Sequence, residues 1–203
     1  MLELTGQDLT IEAVARVARR EETDIRIAPS AVEGVRRSRQ LVEQWVERGE
    51  TIYGVTTGFG EFANVSIPKE GLRALQQNLL RSHSAGMGEP LQPEVVRAML
   101  LLRANALVKG CSGIRLVAIE QLLSFLKADL LPVIPSRGSV GSSGDLAPLS
   151  HLALALTGEG RVTLPDEHGT RRTMAAAEGI RSVGLTPLVL EAKEGLALIN
   201  GTQ

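Results

Sequence analysis

Apolar residues recur at helical spacing along most of this 203-residue chain, and glycine and proline mark the stretches between them. Leu2 to Thr5 reads as a short extended start. Thr10 followed by Glu12, Val14, Val17 and Ala18 predicts a first helix that ends near the charged Arg19 to Asp24 stretch. Ile25 to Ala28 predicts a strand, after which Ser30 can cap a helix running to about Gly49. In that helix Val32, Val35, Leu41, Val42 and Trp45 form a core-facing stripe, leaving Arg36, Arg37, Glu43 and Glu47 for solvent. Thr51 to Gly60 is too glycine-rich and β-branched for a helix and reads as a loop. Pro68 opens a helix through Leu72, Leu75, Leu79 and Leu80, and the breakers in Ala85-Gly86-Met87-Gly88-Glu89-Pro90 stop it by Gly86.

Two further helices, Pro93 to Val108 and Ile114 to Leu130, carry apolar residues on more than one face, as helices buried in a bundle do. Pro132 and Pro135 end that segment, and Ser136 to Gly144 reads as irregular backbone. Asp145 is a good N-cap for a helix over Leu146 to Leu156, with Pro148 tolerated in its first turn. Val162 to Leu164 and Arg172 to Met174 predict a hairpin with a solvated tip, and a final helix is expected over Leu188 to Leu196. There is no internal repeat and no linker that would divide independent domains. The expected class is mainly α, a helical bundle with a few short strands.

Composition narrows the function classes without choosing one. An apolar share of 43% with 22 Lys+Arg against 23 Asp+Glu describes an ordinary globular chain with no charge excess for nucleic acid or an anionic membrane. The longest apolar runs, such as Ala98 to Leu102, are soon broken, here by Arg103, far short of the roughly 20 residues that span a bilayer. The acidic first turns lack the blocks of a signal peptide, and a single cysteine, Cys111, leaves no internal disulfide, so the expected compartment is the cytoplasm. His151, His168 and Cys111 are too scattered for a metal site and read as structural.

The segment Gly138 to Leu149 concentrates glycine and serine ahead of an apolar helix. An anion cradle is one reading, although its G-x-x-G-x-x-G spacing is neither the dinucleotide fingerprint nor a phosphate loop. A plain turn with a helix cap is another. A third rests on likeness: Gly138-Ser139-Val140-Gly141-Ser142-Ser143-Gly144-Asp145-Leu146-Ala147-Pro148-Leu149 resembles the signature of the histidine and phenylalanine ammonia-lyase family. Tyr53-Gly54-Val55-Thr56-Thr57-Gly58-Phe59-Gly60 resembles the family's loop with a catalytic tyrosine. Leu79 to Gly86 resembles its substrate-recognition helix end, and Asn200-Gly201-Thr202 its cofactor-contacting turn. The four matches occur in the family's order and span essentially the whole chain.

The resemblance implies an aspartase/fumarase-like fold of which residues 1–203 are the N-terminal, cofactor-bearing region, with the downstream helical half absent. It implies that Ser142, Ser143 and Gly144 cyclise into a methylidene-imidazolone, the Gly144 nitrogen attacking the carbonyl of residue 142 with loss of two waters. Ser142 stands where the family has alanine, which adds a hydroxyl to the ring substituent and removes no reacting atom. Tyr53 is implied as the base for the substrate β-proton, which asks for positive charge or hydrogen bonds to favour its ionised form. His83 is implied as a contact to the substrate side chain; read alone, it is a cap or surface histidine. Asn200 is implied as a holder of the ring and the substrate amine; read alone, it caps a helix. A Ser-His pair favours histidine over phenylalanine. The implied reaction is loss of ammonia from an aromatic L-amino acid, L-histidine to urocanate first, in a metal-free homotetramer. A phenylalanine or tyrosine lyase, an aminomutase and a non-catalytic fragment or assembly partner stay open.

Overall fold

The computed structural model describes residues 1–139, 144 and 146–201. The cap expected at Asp145 lies outside them, as do Ser142, Ser143 and Thr202. Strand β1 (Leu2–Leu4) pairs in parallel with β2 (Ile25–Ile27), Leu2 opposite Ile25, across helix α1 (Ile11–Ala18). The Thr10 side chain starts α1 by accepting a 3.2 Å hydrogen bond from the Ala13 amide. Helix α2 (Pro29–Glu47) begins at Pro29 with Ala28 as N-cap, so Ser30 is not the cap. Proline fits the first helical position because its φ is preset and its missing N–H has no partner there anyway.

Helices α3 (Leu72–His83), α4 (Pro93–Val108) and α5 (Leu116–Lys127) hold the core. Leu100, Leu101, Ala104 and Leu107 of α4 and Ala118, Ile119, Leu122 and Phe125 of α5 are fully buried. Helix α5 stops short of the expected Leu130 because Asp129 takes a left-handed φ of 51°. Helix α6 (Leu146–Leu156) has the expected bounds. The predicted hairpin is β6 (Arg161–Pro165) with β7 (Arg171–Ala175), to which β4 (Leu131–Pro132) adds a third antiparallel strand.

Three further features differ from the sequence reading. Met87–Pro90 and Pro135–Arg137, read as breakers and irregular chain, pair as antiparallel β3 and β5; partners so far apart leave no local signal. Helix α7 (Ala176–Ser182), unpredicted, lies against β6, where a Cβ on Gly179 would come within 2.5 Å of Val162. The last helix is α8 (Glu194–Ile199), not Leu188 to Leu196. Leu188, Leu190 and Ala192 are buried while Val189 is exposed, the alternation of an extended segment.

A buried charge node joins distant parts. Asp129, 2% exposed, accepts from Arg97 at 3.0 Å, Arg20 at 2.9 Å and Arg171 at 2.7 Å, tying α4, the end of α1 and β7 together. Asp129→Asn keeps a residue that tolerates left-handed backbone but leaves the arginines without a counter-charge. The expected loss is about 3 kcal/mol, read as a lower urea midpoint; an unchanged midpoint would mean that the node contributes nothing.

Candidate active site

Helices α3, α6 and α8 pack against one another. Gln77 on α3 bonds Thr157 and Glu159 just past the end of α6, whereas Gly86, beyond the end of α3, bonds His151 within α6; the two helices therefore run antiparallel. On α8, Gly195 and Leu196 lie against Gln76, while Gly201 lies against Leu149 in the first turns of α6. The C-terminal ends of α3 and α8 thus meet the N-terminal end of α6. The amide end of α6, positive by its dipole, faces this junction.

Each sequence-predicted residue has a place relative to it. The loop bearing Tyr53 is fixed from within: the Thr56 hydroxyl bonds the Glu50 carbonyl and accepts from Ile52 N at 2.9 Å, and the Thr57 hydroxyl accepts from Gly54 N at 3.2 Å. Val55, Thr56 and Thr57 are buried, and Gly54, at φ 67°, lies so close to Leu196 that a Cβ would sit 2.6 Å from its Cδ2. Tyr53 itself stands out, 58% exposed, its ring edge-on to Phe59 with centroids 6.3 Å apart. A rigid loop thus presents a phenol beside α8.

His83 ends α3 half-buried, its Nδ1 3.0 Å from the Leu79 carbonyl and 3.0 Å from the Ser82 hydroxyl. A carbonyl only accepts, so Nδ1 carries the proton and Nε2 of the neutral ring is an acceptor. Asn200 caps α8, exposed, and its carbonyl accepts from Arg103 Nη1 at 2.9 Å. Gly144 has φ 81°, a conformation open to glycine and costly for most residues, and its carbonyl accepts from Leu146 N at 2.9 Å. The described glycine therefore fits a tight bend that closes a ring; Ser142 and Ser143 are outside the described residues. Among these residues no group of three or more His, Cys, Asp or Glu side chains is placed to hold a metal ion.

Two residues enter this junction that the sequence did not assign to it. His151 Nε2 accepts a 3.0 Å hydrogen bond from the Gly86 amide, joining the turn after α3 to α6. A Cβ on Gly86 would sit 3.0 Å from that nitrogen, and one on Gly138, φ 142°, would sit 3.0 Å from the Gly86 Cα. Arg103 reaches the same junction from α4. Its sequence signal was an arginine inside an apolar stretch, and only burial shows what that means.

Burial holds the His151 pKa below the usual histidine value. In the unfolded chain the ring takes a proton near its ordinary pKa of about 6.5, and in the folded chain only at lower pH. The unfolded state therefore binds more protons as pH falls through and below about 6.5, and stability drops. His151→Leu lacks that contribution, so its urea midpoint should fall less between pH 7.5 and 5.5 than the wild-type midpoint does. Equal falls would show that another group titrates.

Residues 9–203 match the family model for aromatic amino acid lyases. The chain is 54% identical to a histidine ammonia-lyase of Geobacillus thermodenitrificans over 203 residues, which is 100% of this chain and 39% of that protein. Among solved structures, histidine ammonia-lyase from Trypanosoma cruzi matches with TM-score 0.88 and 42% identity, covering 99% of this chain and 37% of that one. Tyrosine aminomutase from Streptomyces globisporus matches with TM-score 0.88 and 41% identity, covering 99% and 36%. The chain thus spans about two fifths of the length of these relatives, and within that span it belongs to the aromatic amino acid lyase family.

Proposed function

We propose that residues 1–203 are the N-terminal, cofactor-forming region of a cytoplasmic carbon–nitrogen lyase that removes ammonia from an aromatic L-amino acid, L-histidine first, giving urocanate. The observation that carries this reading is the meeting of the ends of α3, α6 and α8. It brings together three of the four segments that resemble parts of the family's site, and the fourth, the Tyr53 loop, rests on Leu196 in the first turn of α8. The 54% identity to a histidine ammonia-lyase favours histidine as substrate. The near-equal likeness to a tyrosine aminomutase keeps one second reading, in which the released ammonia adds back at the neighbouring carbon. Product analysis separates the two.

The methylidene-imidazolone formed from Ser142, Ser143 and Gly144 supplies an electrophilic alkene that lets an otherwise unreactive β-proton be removed. The chain's own residues supply the rest. Tyr53 Oη takes the β-proton; the C–H electron pair becomes the new carbon–carbon double bond, and the protonated amine leaves with the C–N pair as ammonia. The exposed phenol on a loop locked by Thr56 and Thr57 suits a base that meets substrate from solvent. His83 Nε2 accepts from the imidazole N–H of the substrate, its other nitrogen being held by Leu79. Asn200 orients the ring and the substrate amine. In the complete homotetramer, half-exposed Val95 and Leu102 of α4 and Val117 of α5 are surfaces for the remaining chain and subunits to cover.

Ring formation is tested by intact mass with peptide mapping on the full-length enzyme. Wild type and Ser142→Ala should each lack two waters relative to the encoded sequence, and Ser143→Ala no more than one. An unmodified wild-type mass would reduce Gly138 to Leu149 to a turn and helix cap. For substrate choice, His83→Leu should weaken kcat/KM for histidine about tenfold or more while weakening phenylalanine less, since an imidazole partner is lost and an apolar wall gained. Equal losses for both substrates would remove His83 as the selector.

A further inference from the structure

Three arginines of this chain are buried to nine-tenths or more: Arg39, Arg97 and Arg103. Two have carboxylates. Arg39 Nε lies 2.8 Å from Glu43, and Arg97 Nη1 lies 3.0 Å from Asp129. Arg103, 7% exposed, has no carboxylate partner among the described residues; Nη1 bonds the Asn200 carbonyl at 2.9 Å, and buried Nε has no hydrogen-bond partner. Burial shifts its pKa downward. A guanidinium nevertheless stays charged in a protein, because its ordinary pKa lies far above neutral pH.

An arrangement of this kind works against stability. Taking an ion out of water costs several kcal/mol, and one bond to a neutral carbonyl returns little of it. The surroundings would suit an apolar side chain: Leu149 of α6 stands at the same point, where a Cβ on Gly201 would lie 2.9 Å from its Cδ1 and 3.7 Å from Arg103 Nη1. Arg97, six residues earlier on the same helix, shows how α4 buries an arginine for support: it pairs it. What Arg103 holds instead is the turn that leads α8 into Asn200 and Gly201.

We propose that Arg103 is a positioning residue of the lyase site, whose buried guanidinium, without a carboxylate partner among the described residues, pins the Asn200 carbonyl and fixes the Asn200–Gly201 turn against the first turns of α6. The inference rests on the lyase reading and adds to it a residue that touches neither substrate nor the cyclised triplet. A displacement of about 1 Å in a positioned group costs on the order of a hundredfold in rate. The positive charge also stands behind a turn that faces the α6 amide end, so the junction favours negative charge.

The test uses the full-length enzyme with Arg103→Met, which fills the space without charge or donors, and Arg103→Lys, which keeps the charge and some donor capacity. Arg103→Met should unfold at the same urea concentration as wild type or higher, and still lack two waters by intact mass. Its kcat/KM should fall about a hundredfold, with faster hydrogen exchange over residues 199–201. Arg103→Lys should keep a larger share of the activity. A lowered urea midpoint in Arg103→Met would make Arg103 a support of the fold and overturn the proposal; so would a folded Arg103→Met with undiminished turnover. A wild-type enzyme that neither loses the waters nor turns over substrate defeats the lyase reading itself. In that case unchanged exchange over residues 199–201 in Arg103→Met defeats the anchoring as well, and faster exchange upholds the pinning of the turn.

Discussion

The close approach of α8 to α3 at Gly195 sets the geometry of everything at the junction. A Cβ there would sit 2.8 Å from the Gln76 carbonyl and 3.0 Å from its side-chain oxygen, distances no larger residue can accept without moving one helix. With glycine in place, Gln76, fully buried, accepts the Leu196 amide at 3.1 Å and locks the register of α8 along α3. That register carries Leu196 to the Tyr53 loop and Gly201 to α6. Glu194 secures the start of α8: wholly buried, it is bonded by Arg115 Nε at 2.8 Å and Nη2 at 2.6 Å and accepts the Glu191 amide at 2.8 Å.

Charge is buried in two ways in this fold. At Asp129 and Glu194, carboxylates collect arginines from several elements, and the pairing offsets desolvation. At Arg103 no carboxylate of the described residues does so. The contrast places the unfavourable charge at the proposed site and the balanced ones in the supports, as expected where a site gives up stability for geometry.

How much of this was legible in the sequence depends on whether the signal was local. Helices α4 and α6 carry their own start signals and unbroken apolar stretches, and their bounds could be read directly. The segment around Leu190 could not be read, because three apolar residues at alternate positions inside a helix-forming composition look helical until their burial is known. The β3–β5 pairing was hidden since its halves look like loops separately. Tyr53, His83, Gly144 and Asn200 were singled out as candidates through motif likeness, which no hydrophobic period would have supplied. His151 and Arg103 were invisible as site neighbours for a different reason: a partner such as the Gly86 amide or the Asn200 carbonyl is fixed by tertiary packing alone.

The contact between Gly54 and Leu196 joins positions far apart along this chain. During synthesis, which proceeds at about 5–20 residues per second, the loop bearing Tyr53 exists for several seconds before the helix it rests on has been made. Helix α6 waits likewise for Gly201 to reach Leu149. Translation thereby sets an order of assembly: the junction of α3, α6 and α8 closes only after α8 has emerged and settled on Gln76.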